Sequence, residues 1–103
     1  MEKFTISTRA QRPLPGTTKQ AILGVVASGN LELLFERIGG DAVEIDVLTA
    51  STGYRAVWEA VIHDFVERTS PGGVRITIHD NGARPDTVML RLMQGTKMLE
   101  MPS

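Results

Sequence analysis

The chain has 103 residues, enough for one domain that buries roughly two-thirds of its unfolded surface. Hydrophobic residues make up 42%, and 11 Lys plus Arg stand against 12 Asp plus Glu for a formal net charge of -1. This composition excludes a disordered chain and argues against a nucleic-acid binder that works by neutralising phosphates.

Cysteine is absent. That removes a disulfide scaffold, a thiolate nucleophile and a cysteine metal site, and it fits a cytoplasmic protein. The first seven residues lack the apolar core of a signal peptide. The longest apolar run, 21–27, is far short of the ~20 residues that cross a bilayer, so no membrane partner is expected.

Phe4 and Ile6 alternate with Thr5 and Ser7, the pattern of a short edge strand. Pro13, Pro15 and Gly16 then remove donors and regularity, giving a linker or extended arm. Two β-type runs, about 20–27 and 31–37, are joined by Ser28-Gly29-Asn30 and read as a hairpin. Gly29 and Asn30 tolerate the positive φ that tight turns require. Ser28 is expected where a strand ends, with its hydroxyl facing solvent.

Gly39-Gly40-Asp41 makes the next turn. Val43, Ile45 and Val47 alternate with Glu44 and Asp46, which predicts a strand in a sheet covered on one side. Ser51 or Thr52 is expected to cap a helix over 54–68. Its apolar stripe is Val57, Trp58, Val61, Ile62, Phe65 and Val66, and Pro71-Gly72-Gly73 stops it. Val74, Ile76 and Ile78 predict another strand, and the loop 79–86 follows. Val88, Leu90 and Leu92 alternate with Met89, Arg91 and Met93, which predicts a last strand before a frayed tail over 95–103.

The predicted fold is α+β: a mostly antiparallel β-sheet of about five strands covered by one main α-helix. Trp58, Val61 and Phe65 should pack on Val43, Ile45, Ile76 and Leu90. In segments, 1–19 is an N-terminal arm with an edge strand, 20–95 the folded unit and 96–103 the tail.

The residues alone give no self-sufficient enzyme. His63 and His79 fall on different elements and lack the spacing of metal ligands. Neither a Walker nor a dinucleotide motif is present. Ser28 has no histidine near it in sequence to act as a base. Glu32, Glu36, Glu44 and Asp46 fit the wet face of a sheet better than an acid–base pair. By itself the loop reads as a tight turn, since Asn81-Gly82 is a strong hairpin signal and Pro85 stiffens the exit.

Two stretches carry more. Val25-Val26-Ala27-Ser28-Gly29-Asn30-Leu31-Glu32 and Ile76-Thr77-Ile78-His79-Asp80-Asn81-Gly82-Ala83-Arg84-Pro85, the latter running into Val88-Met89-Leu90-Arg91-Leu92, resemble the acyl carrier (delta) subunit of bacterial malonate decarboxylase. The resemblance spans about 20–95. Asp80, Gly82 and Ala83 also look like a stretch of the related citrate lyase acyl carrier, the alternative reading. A plain protein-interaction module without a prosthetic group is a third.

The resemblance implies a non-catalytic carrier within a multi-subunit enzyme of malonate catabolism. It implies that Ser28 carries phosphoribosyl-dephospho-CoA through a phosphodiester, with acetyl and malonyl held as thioesters on the terminal thiol of that group. Implied partners are an acyl-exchange subunit, the decarboxylase subunits and a prosthetic-group transferase. Gly29, Asp80, Gly82 and Arg84 are the further candidates at the site, with Arg84 able to pair with a phosphate. The family pattern favours Gly before the serine and Asp after Ser-Gly, where this chain has Ala27 and Asn30. Asn30 keeps the turn chemistry and drops a charge. Asn81 stands where the family usually has an aromatic residue.

Overall fold

A computed structural model describes residues 1–24 and 31–102. In chain order these form β1 (Glu2–Arg9), β2 (Gln20–Leu23), β3 (Leu31–Arg37), β4 (Ala42–Thr49), α1 (Arg55–Thr69), β5 (Val74–Asp80) and α2 (Pro85–Glu100). The strands make one sheet in the order β1-β4-β5-β3-β2. All neighbouring pairs are antiparallel except β4 with β5. That parallel pair follows from the helix between them, because a chain returning along the same direction needs a long crossover.

Period-two patterning sets which face is dry. Leu31, Leu33 and Phe35 on β3, Val43, Ile45 and Val47 on β4, and Val74, Ile76 and Ile78 on β5 are all buried. Both helices supply the other half of the core, through Trp58, Ile62, Phe65 and Val66 of α1 and Val88, Leu92 and Leu99 of α2. Burial of each such large side chain contributes ~1.5–3 kcal/mol relative to exposure. The opposite face is wet and charged. There Arg75 donates to Glu44 at 2.6 Å, and Thr5 donates to Asp46 at 2.7 Å. The hydrogen bond and charge of Glu44 hold the Arg75 guanidinium above its usual range.

The structure corrects several sequence expectations. Residues 88–92 are not a strand but part of α2, and 95–100 are not a frayed tail but its last turns. Val88 and Leu92 suit either period, and the register that wins is helical: Val88, Leu92, Thr96 and Leu99 are buried, whereas Leu90 is 56% exposed and cannot be a core partner of Trp58. Pro85 begins this helix, where its missing donor costs nothing. On α1, Val57 lies outside the buried stripe at 42% exposure. Neither Ser51 nor Thr52 caps α1; Tyr54 is its N-cap and makes no side-chain capping bond, while the Ser51 amide donates to Thr49 Oγ1.

The region 9–18 is extended and pinned. Ala10 donates to the Asp41 carbonyl and Leu14 to that of Gly72, both at 2.9 Å. Arg37 fastens it further by donating to the carbonyls of Leu14, Pro15 and Thr18 and to that of Leu99, near the C-terminal end of α2. A guanidinium at a helix C-terminus also opposes the negative end of the helix dipole.

Gly95 lets α2 lie on β3. A Cβ built there would overlap the Phe35 ring, and Phe35 is fully buried. Gly95→Ala is therefore expected to lose about 1–3 kcal/mol by overpacking, despite the better helix propensity of alanine. Urea unfolding checks the sign: a stabilised Gly95→Ala protein would contradict this packing.

Candidate functional site

Alternation carries the buried faces of β4 and β5 one step beyond their apolar residues, to Thr49 and Asp80. These two are register partners across the parallel pair, and both are buried. Two polar groups at the end of a core need partners, and they find them locally. Thr49 Oγ1 donates to Asp80 Oδ2 at 2.8 Å, and the Ala83 amide donates to Asp80 Oδ1 at 2.8 Å. The second bond closes an Asx-type turn over 80–83. Gly82 sits in that turn at φ +99, a backbone shape that glycine adopts without strain.

Asp80 therefore shapes the loop rather than meeting solvent. Its carboxylate fixes the point from which α2 starts, with Arg84 as the helix N-cap. The Arg84 side chain is 84% exposed and, among the described residues, reaches only Asp86, at 3.6 Å. It is a solvated cation beside the loop.

On the other side of β5 stands β3. Its first residue, Leu31, is the register partner of Asp80. Leu23, the last residue of β2, pairs with Leu33. Gly24 follows at φ +79, and a Cβ there would overlap the Leu31 carbonyl oxygen. The ends of β2, β3, β4 and β5 thus converge, and the two motif stretches meet at the Leu31–Asp80 pair. Ser28, Gly29 and Asn30 lie outside the described residues, as does the expected hairpin corner they form.

A family model for the malonate decarboxylase delta subunit matches residues 18–99. The chain belongs to this family of malonate decarboxylase acyl carriers. It is 50% identical to the malonate decarboxylase acyl carrier protein of Bradyrhizobium diazoefficiens, covering 96% of this chain and 95% of the relative. It is 46% identical to that of Xanthomonas axonopodis pv. citri, covering 97% and 96%. Among solved structures it is similar to a chain in the crystal structure of a Pseudomonas malonate decarboxylase hetero-tetramer in complex with malonate. That similarity has a TM-score of 0.82 at 33% identity, over 96% of this chain and 99% of that one.

Family membership gives the chain the role of an acyl carrier subunit. Among the described residues there is no group of three or more potential metal-ligating side chains. His63 is exposed and faces Glu67 on α1 at 3.4 Å, while His79 is exposed on β5. No described helix is long and apolar enough to cross a membrane. Sequence reasoning missed Thr49 and Gly24 as parts of this sheet end. The signal for Thr49 was present, since it extends the 43, 45, 47 alternation by one step. For Gly24 there was none, because its constraint comes from a strand that approaches it in space.

Proposed function

We propose that this chain carries acetyl and malonyl groups as thioesters on phosphoribosyl-dephospho-CoA, joined by a phosphodiester to the Ser28 hydroxyl. The observation that carries the reading is the meeting of the two motif stretches at Leu31 and Asp80. Gly24 and Leu31, the described residues on either side of 25–30, both stand at that sheet end. The chain has no cysteine, so thioester chemistry must use a thiol supplied by a prosthetic group. Asp80 and Gly82 then act by shaping the neighbouring loop, and Gly29 by leaving the serine open to a transferase.

The partners in this reading are an acyl-exchange subunit, the decarboxylase subunits and the transferase that installs the group. Their kind is supported by the similarity to a chain of the Pseudomonas malonate decarboxylase hetero-tetramer. Co-expression with the cognate transferase and the precursor should add one prosthetic-group mass per chain. Peptide mapping should place it on Ser28. An unmodified chain under conditions that modify a relative's carrier would overturn the reading.

Arg84 belongs to the surface shared with partners in this account, because it projects into solvent next to the sheet end. Charge at the rim of a transient interface sets the encounter rate more than fold stability. Arg84→Glu is expected to slow acyl exchange about tenfold at low salt. Its Tm and its Ser28 modification should match the wild type. Thioester turnover with malonate at fixed carrier concentration measures this, and an unchanged rate would remove Arg84 from the docking surface.

A further inference from the structure

Where loop 80–85 meets the N-terminal parts of α1 and α2, the surface opens into a groove of about 360 Å³. That volume lies at the small end of the range for small-molecule sites. Its walls are Tyr54, Val57, Trp58, Val61, Ala83 and Val88. Tyr54 is 55% exposed and Val57 42%, so apolar and aromatic surface stays in contact with water here.

The polar groups of the groove narrow what fits it. The Asp80 carboxylate lines it, yet both of its oxygens are already engaged, by Thr49 and Ala83. Each oxygen thus already has a partner within the fold, and the carboxylate serves the loop first. Ser51 and Tyr54 bring hydroxyl groups to the lining, and Arg84 brings a guanidinium, a cation that stands 3.6 Å from Asp86. A largely apolar slot with hydroxyls and a cation in its lining suits a slender limb that alternates methyl and methylene groups with amides and ends in a phosphate. The slot also adjoins the right place: Asp80 pairs with Leu31, the residue that closes the 25–30 segment.

We infer that this groove is a binding site for the pantetheine-type limb of the chain's own prosthetic group, which parks its acetyl thioester against Trp58 between visits to partner subunits. The inference rests on the Ser28 reading for how the limb is tethered. Arg84 meets the limb's phosphate, and Tyr54 and Val57 cover its apolar length. Parking is weak, because a limb that must leave for a partner cannot be held tightly. Its effect is to keep water and stray nucleophiles from the thioester.

The chain has one tryptophan, and it lies in the groove wall, so emission reports occupancy directly. The test uses carrier whose Ser28 adduct has first been verified by intact mass and peptide mapping. With the limb as free thiol, alkylation by a bulky maleimide should run about fivefold slower than on free pantetheine, as expected for a limb docked most of the time. Val57→Asp should return the rate to the free value while keeping the wild-type circular dichroism. Trp58 emission should differ between modified and unmodified wild type, which needs no variant.

A separate titration of S-acetylpantetheine into unmodified chain should move the amide resonances of Val57, Ala83 and Val88 saturably at millimolar concentration. Failure of the adduct to form defeats the Ser28 reading, and the titration alone then decides the groove: unmoved resonances overturn it. A verified adduct that is alkylated at the free rate overturns the groove and leaves the Ser28 reading standing. Trp58 emission that responds only when the exchange subunit is added would assign the groove to that partner and overturn the proposal.

Discussion

Ser28→Ala is expected to abolish the prosthetic-group adduct and, with it, all acyl turnover in a reconstituted complex. The expected loss is complete rather than graded, because the chain offers no cysteine to replace the missing thiol. The fold should survive. The core is carried by β3, β4, β5 and the two helices, and the substitution removes a single hydroxyl. Intact mass, circular dichroism and malonate-dependent thioester exchange together separate lost attachment from lost structure. An adduct that persists in Ser28→Ala would place the attachment on another hydroxyl and refute the assignment.

Trp58→Ala carries the largest expected loss of stability. Trp58 is only 6% exposed and lies in the same buried cluster as Ile62, Phe65 and the sheet residues Ile45 and Ile76. Truncating a core tryptophan removes its transfer free energy and leaves a cavity, at a cost of about 3–5 kcal/mol. For a domain whose total stability is roughly 5–15 kcal/mol, that is a large share. Urea titration followed by circular dichroism should show a lower midpoint with an unchanged slope. A loss under about 1 kcal/mol would mean that the side chain is dispensable to the core.

Legibility in the sequence followed the uniqueness of the local pattern. The strand around Val43, Ile45 and Val47 was readable because only a period of two fits those residues and the acidic ones between them. The helix Arg55–Thr69 was readable because Trp58, Ile62, Phe65 and Val66 fit only a helical period. Val88 and Leu92, four positions apart, fit both periods, and Gly95 argued locally for an end to structure. Proximity to Phe35 reversed the meaning of that glycine: it marks a close approach of α2 to the sheet.

The site divides in the same way. The two motif stretches, and through them the family, could be read from residue order, because side-chain identity at fixed spacing is a one-dimensional property. Sequence by itself also settled the absence of a thiol and the one-sided amphipathic sheet, whereas the hairpin that Asn81-Gly82 suggested is a turn from β5 into α2. Tertiary structure alone decided that β5 lies between β3 and β4, and therefore that Leu31 and Asp80 meet. It alone decided that Asp80 faces inward to Thr49 and Ala83, that Arg37 ties the N-terminal arm to the end of α2, and that Tyr54 and Val57 border an apolar groove. Each of these depends on which residues distant in the chain share a neighbour. That is fixed by how the sheet and helices bury their apolar faces together, which no single stretch of the sequence contains.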